Sequence, residues 1–138
     1  MKNVLVFGTF DGIHKGHLYF FEQAKKKGDA LCVLVARDET VEKVKGKKPL
    51  RNEEQRVKEV DKLPIVAEAF LGHISKHFAF LDKIVPDVIC IGHDQKFMVE
   101  ELKNEVKDRG LNIEIVEIEA FEPERYKSSL LNKSNKPT

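Results

Sequence analysis

Apolar residues in this chain come in two patterns that alternate along its length. Short unbroken runs suit strands buried on both faces, and stretches with an apolar residue every third or fourth position suit helices with one inward stripe. Val4 to Phe7 predicts a first strand. Leu18 to Lys27 predicts a helix with Leu18, Phe21 and Ala24 on one face and Gly28 as its stop. Leu31 to Ala36 predicts a second strand. The lysine-rich stretch Lys43 to Lys48, with Gly46 and Pro49, predicts a loop. Asn52, with Gln55 three residues on, has the spacing of a capping box and starts a helix that runs to about Lys62. Ala67 to Leu71 predicts a weaker strand. Ser75 is positioned to cap a helix that turns Phe78, Leu81 and Val85 inward and ends at Pro86. Val88 to Ile91 predicts a fourth strand, Met98 to Arg109 a helix closed by Gly110, and Ile113 to Ile118 a fifth strand. Beyond Phe121 the pattern is less regular. Leu130 and Leu131 suit a short last helix, and residues 132–138 read as a frayed tail.

Strands alternating with helices at this spacing imply an α/β fold, a Rossmann-like five-stranded parallel sheet in order 3-2-1-4-5 with helices on both faces. No repeat or linker divides the chain, so residues 1–138 read as one domain. In that order the first and fourth strands are neighbours at the topological switch point, and a ligand is expected beyond their C-terminal ends.

Composition narrows the class. Of the 138 residues 41% are hydrophobic, enough for one core. No apolar run is long enough to span a bilayer, and the N-terminus lacks the pattern of a signal peptide. The net charge of +1 carries no broad basic surface for nucleic acid. Cys32 and Cys90 sit inside apolar runs and read as buried free thiols, which suits a reducing, cytoplasmic setting.

Chemistry-bearing residues follow the two strands that meet at the switch point. After the first comes Gly8-Thr9-Phe10-Asp11-Gly12-Ile13-His14-Lys15-Gly16-His17, and after the fourth comes Gly92-His93-Asp94-Gln95. Gly8 suits a tight turn off the strand, and Thr9 and Phe10 offer backbone amides to a phosphate. His17 falls at the start of a helix, where unpaired N–H groups and the dipole favour an anion. His14 is close enough for both rings to reach one phosphate, and Gly16 lets the backbone approach between them. Two alternatives stay open, a metal pair assisted by Asp11 and two ordinary surface histidines. The first needs more ligands than lie nearby.

The motif Gly8-Thr9-Phe10-Asp11 followed by His14-Lys15-Gly16-His17 resembles the signature of the cytidylyltransferase-like nucleotidyltransferases, over Val4 to about Ser129. Ala36-Arg37-Asp38-Glu39-Thr40-Val41, Gly46-Lys47-Lys48-Pro49, Glu54-Gln55-Arg56 and Gly92-His93-Asp94-Gln95 most resemble archaeal-type FAD synthase, which adenylylates FMN. The match to glycerol-3-phosphate cytidylyltransferase is somewhat poorer. The resemblance implies transfer of AMP from ATP to FMN. No cluster of carboxylates in the sequence suggests a protein-built magnesium site, so Mg²⁺ is expected to arrive with the triphosphate. His14, His17, Lys45 and Lys47 become the expected catalytic groups. Gly8, Thr9, Phe10, Lys15, Gly16, Arg56, Gly92, Asp94, Ser128 and Ser129 become the expected nucleotide contacts. Arg125 sits closer to the serine pair than the arginine of similar enzymes does. His73 and His77 are one helical turn apart, a spacing that by itself gives little reason to expect a metal, and His93 either lines the pocket or has a structural role. A homodimer is the expected assembly. The alternatives are a cytidylyltransferase using CTP with glycerol 3-phosphate or a sugar phosphate, and a non-catalytic nucleotide-binding module.

Overall fold

The computed structural model describes residues 1–72 and 78–119, apart from the side chains of Asp94 and Phe97. The expectations for Ser75, His73, His77, Arg125, Ser128, Ser129, Leu130 and Leu131 lie outside the described residues. Five parallel strands form one sheet in the order β3-β2-β1-β4-β5. They are β1 (Asn3–Gly8), β2 (Ala30–Val35), β3 (Glu68–Leu71), β4 (Val88–Ile91) and β5 (Glu114–Glu117). The helices are α1 (Lys15–Lys25), α2 (Asp38–Lys45), α3 (Glu53–Asp61) and α4 (Val99–Asp108), with 3₁₀ turns at Ala79–Asp82 and His93–Met98.

Period-2 alternation divides the strand side chains between two cores. Val4, Val6, Val33, Val88 and Cys90 pack with Phe21 and Ala24 of α1 and Val60 of α3. Leu5, Leu34, Ile89 and Ile91 pack on the opposite face with Phe80, Leu81 and the α4 residues Val99, Leu102 and Val106. The continuous apolar runs of β1, β2 and β4 therefore reflect strands covered on both sides. Cys32 and Cys90 are free thiols. Burial pushes Cys90 up to about 11 and also raises Cys32, with Glu68 adding to the effect. Among the described residues, no helix is long and apolar enough to cross a membrane.

Four local expectations are corrected. The lysine-rich stretch is not all loop, because Lys43 to Lys45 form the last turn of α2. This helix has Asp38 and Glu39 in its first turn, lysines in its last, and Gly46 as a left-handed C-cap at φ 79°. Charges matched to the dipole and a glycine cap hold it without a visible apolar stripe, since Val41 is its one buried residue. Within the described part of the helix expected up to Pro86, the chain forms the short 3₁₀ turn Ala79–Asp82, and Val85 is 53% exposed rather than inward. The proline that follows Val85 disfavours helical backbone there, and the turn closes before the chain enters β4. Leu18 is also partly exposed, at 39%, leaving Phe21 and Ala24 as the buried residues of α1.

Gly28 does not stop α1 by adopting left-handed backbone. The helix ends at Lys25, and Gly28 lies where the turn into β2 crosses the start of β1. A Cβ there would lie 2.6 Å from Val4 Cγ2 and 2.8 Å from the Lys2 carbonyl oxygen. That carbonyl accepts from the backbone N–H groups of Asp29 and Ala30, so it cannot withdraw without cost. Gly28→Ala should destabilise the protein by about 1–3 kcal/mol, read as a lower midpoint in urea with unchanged slope.

Candidate active site

The sheet opens at its switch point because its neighbours pair unequally. β1 pairs with β2 over six residue pairs, from Asn3↔Ala30 to Gly8↔Val35. It pairs with β4 over two, Val4↔Val88 and Leu5↔Ile89. The C-terminal ends of β1 and β4 therefore diverge, and a cleft of about 790 Å³ lies above them. Gln95 spans the gap: its Nε2 donates to the Phe7 carbonyl at 2.5 Å, and its Oε1 accepts from Gly92 N at 3.0 Å. It lines the cleft but was not among the residues expected there. Its place in a four-residue polar motif after a strand was the available signal; the bond to Phe7, 88 positions away, was not visible.

The loop after β1 is held by an aromatic ring. Phe10 has φ 53°, a left-handed conformation rare outside glycine, and is 5% exposed. Its ring packs 5.1 Å from the Phe21 ring and edge-on to His17 at 5.2 Å between centroids. A Cβ on Gly8 would lie 2.9 Å from the tip of that ring. Gly8 is therefore required for space beneath Phe10, and the packed ring keeps the strained turn in place.

His14 and His17 cap α1 reciprocally. Gly16 N–H donates to His14 Nδ1 at 3.0 Å, and His14 N–H donates to His17 Nδ1 at 3.3 Å. An asparagine or serine cap offers an oxygen in this position; here two imidazole lone pairs accept from the orphan N–H groups of the first turn. The rings stack at 3.8 Å between centroids, 22° from parallel. Because each Nδ1 accepts a hydrogen bond, each ring carries its proton on Nε2. Both rings line the cleft, with Gly8, Thr9, Phe10 and Gly16. The pair is thus built to present N–H donors at a helix N-terminus, where the dipole favours an anion.

Lys45 lies in the last turn of α2 on the cleft wall. Lys47 is exposed one residue past the Gly46 cap and does not line the cleft. Lys15, the first residue of α1, is exposed and also off the cleft wall. Gly92 and His93 line the cleft beside Gln95. Asp94 lies in the 3₁₀ turn His93–Met98, and its side chain is outside the described residues.

Arg56, expected as a nucleotide contact, is here an internal tie and does not line the cleft. Its side chain is fully buried. Nε donates to the Arg51 carbonyl at 3.0 Å, and Nη1 donates to the carbonyls of Thr9 at 2.9 Å and Ala36 at 2.7 Å. Nη2 pairs with Asp38 Oδ1 at 2.7 Å. One guanidinium thereby joins the loop after β1, the end of β2, the start of α2 and the entry to α3. Asp11 reinforces this arrangement. Its two oxygens accept from Leu50 N at 2.7 Å and Arg51 N at 2.9 Å. Among the described residues, no group of three or more His, Cys, Asp or Glu side chains could hold a metal ion.

A helix-capping histidine pair that lines a cleft at the switch point of a 3-2-1-4-5 sheet is an arrangement suited to nucleotidyl transfer. Comparison with known proteins agrees. The Cytidylyltransferase-like family model matches residues 5–134, and the chain belongs to that family. It is similar to an FAD synthase of Ferroglobus placidus, 48% identical over 88% of this chain and 79% of the relative. An FAD synthase of Thermoplasma acidophilum is 39% identical over 96% of this chain and 93% of the relative. Among solved structures, a lipopolysaccharide core biosynthesis protein from Thermoplasma volcanium superimposes with a TM-score of 0.83 at 36% identity, covering 88% of this chain and 99% of that one.

Two predictions follow from the ties. Arg56→Ala should cost about 3–5 kcal/mol, because it strands Asp38 and three carbonyls; thermal unfolding of the purified variant measures it. Burial raises the Asp11 carboxyl, but the N–H groups of Leu50 and Arg51 and the charges of Arg56 and Arg51 outweigh it and hold the group below its usual range. A lowered folded pKa stabilises above the unfolded value and loses that contribution as pH falls through the folded one. The stability gap between wild type and Asp11→Asn should be full at pH 6 and shrink below about pH 4.

Proposed function

We propose that this protein transfers AMP from ATP to FMN, giving FAD and pyrophosphate. The observation that carries the reading is the reciprocal His14–His17 cap, which holds two Nε2–H donors at the head of α1. The names and extent of the similar proteins support FMN as the acceptor. So does the cleft, where Phe7, Leu34, Val41, Val44, Phe78 and Met98 offer apolar surface to a flat ring. Glycerol 3-phosphate has little use for such a wall.

An oxygen of the FMN phosphate attacks the α-phosphorus of ATP. That O–P bond forms while the bond from the α-phosphorus to the bridging oxygen breaks, and pyrophosphate leaves with the electron pair. The acceptor phosphate is ionised near pH 7, its second pKa being about 6, so no side chain need remove a proton. The task left to the protein is to stabilise charge on the α-phosphate and the leaving group. His14 and His17 would donate Nε2–H bonds to phosphate oxygens, and the Thr9 and Phe10 amides would add donors from the turn fixed by Phe10. Lys45, on the cleft wall, would neutralise charge toward the β- and γ-phosphates. Lys47 would join it through movement of the segment after Gly46. Asp94, Ser128 and Ser129 would complete the nucleotide contacts. Mg²⁺ bound to the triphosphate would supply further charge neutralisation.

His14→Ala and His17→Ala should each lower kcat by about 10²–10³-fold. The assay is pyrophosphate release over the four nucleoside triphosphates, with FMN or glycerol 3-phosphate as acceptor. Release with ATP and FMN supports the reading. Release confined to CTP and glycerol 3-phosphate refutes it, as does full turnover in a folded His17→Ala variant.

A further inference from the structure

The cleft has an arm whose polar groups lack an obvious task in phosphate chemistry. Its wall is the inward side of α2 with the ends of β2 and β3, and it carries Leu34, Arg37, Thr40, Val41, Val44 and Gly72. Val44 is 62% exposed, an apolar side chain facing solvent across the arm. Thr40 sits one turn before it on α2. Among the described residues, Thr40 Oγ1 is the buried side-chain oxygen that has no hydrogen-bond partner. Leaving a hydroxyl buried and unpaired costs about 1–3 kcal/mol, so a site that retains one without a ligand is incomplete. Threonine in a helix divides between two χ1 rotamers, and rotation between them changes where the hydroxyl points. Arg37 precedes the helix and is fixed in place: Nε donates to the Gly72 carbonyl at 2.6 Å and Nη1 to Glu53 Oε2 at 3.2 Å. Nη2 takes part in neither bond.

We propose that Thr40 and Arg37 read the polar edge of the acceptor's ring, and that Leu34, Val41 and Val44 form the apolar wall against which the ring lies. The inference rests on the flavin reading above and assigns its specificity to α2. The pyrimidinedione edge of a flavin carries two carbonyl acceptors and one N–H donor. A hydroxyl can donate or accept there, and a guanidinium held from its other side can donate to a carbonyl. A glycerol or sugar phosphate has neither the flat apolar body nor this edge.

Thr40→Val removes the hydroxyl at nearly constant volume. KM for FMN should rise roughly fivefold, the worth of one neutral hydrogen bond, while KM for ATP stays within twofold. The ligand-free variant should be as stable as wild type or more so, because an unpaired buried hydroxyl has gone. Thr40→Ser should restore the FMN KM. A purely structural threonine would not give weaker flavin binding together with unreduced stability. An unchanged FMN KM in Thr40→Val overturns the assignment while wild type still makes FAD. If wild type makes no FAD from ATP and FMN, the flavin reading falls and this inference with it. Should Thr40→Val fail to fold, Thr40→Ala with FMN binding followed by fluorescence quenching carries the same expectation, and unchanged affinity overturns it.

Discussion

The site depends on one buried cation. A parallel sheet leaves its C-terminal ends as loops, and loops hold a ligand only if something fixes them relative to one another. Arg56 does so from beneath. Its guanidinium takes carbonyls from the loop after β1, the end of β2 and the approach to α3, and pairs with the first residue of α2. A lysine at this position would present a point charge without the planar fork, and could not serve four directions at once. Asp11 works from the same loop in the opposite sense, its carboxylate accepting two backbone N–H groups ahead of α3. Together they join the histidine-bearing loop to the helix that carries Thr40 and Lys45. The cleft's two walls are therefore set by one network of charge-assisted hydrogen bonds.

Within that frame the histidines have two jobs that constrain each other. As caps they use their Nδ1 lone pairs on backbone N–H groups of α1, and this fixes both ring orientation and the position of the remaining proton. Toward the cleft this leaves the Nε2 edges at the head of a helix whose dipole favours an anion. Cap and cleft take opposite edges of the same rings, so substitution of either histidine touches the helix start as well as the cleft. Phe10 supports the arrangement, with Gly8 leaving it room and Phe21 and His17 packed against it.

Much of this was legible in the residues. Continuous apolar runs located β1, β2 and β4, shorter interrupted ones located β3 and β5, and their alternation with helices gave the sheet order, because parallel strands need crossovers and crossovers have one hand. The Asn52–Gln55 capping box is present as its spacing predicts, Gln55 N donating to Asn52 Oδ1 at 2.8 Å and Asn52 N to Gln55 Oε1 at 3.1 Å. The cleft lies where the switch point requires. Elements held by something other than an apolar period were less legible. α2 has a single buried residue and rests on charge–dipole matching and a glycine cap. The turn at Ala79–Asp82 has helical spacing but ends under the restriction imposed by Pro86.

Local rules acting over three or four residues were therefore decided by the sequence itself: strand runs, caps, the glycine-rich histidine loop and the family it marks. Contacts between distant segments were decided only by the tertiary structure, because their energies depend on burial and on partners dozens of positions away. Arg56 looks like any helix-surface arginine until the fold removes it from water, where its charge must be met by bonds to Thr9, Ala36, Arg51 and Asp38. Gln95 becomes a bridge only because β1 and β4 part after two residue pairs. Thr40 became notable when packing took its hydroxyl out of water and supplied no partner.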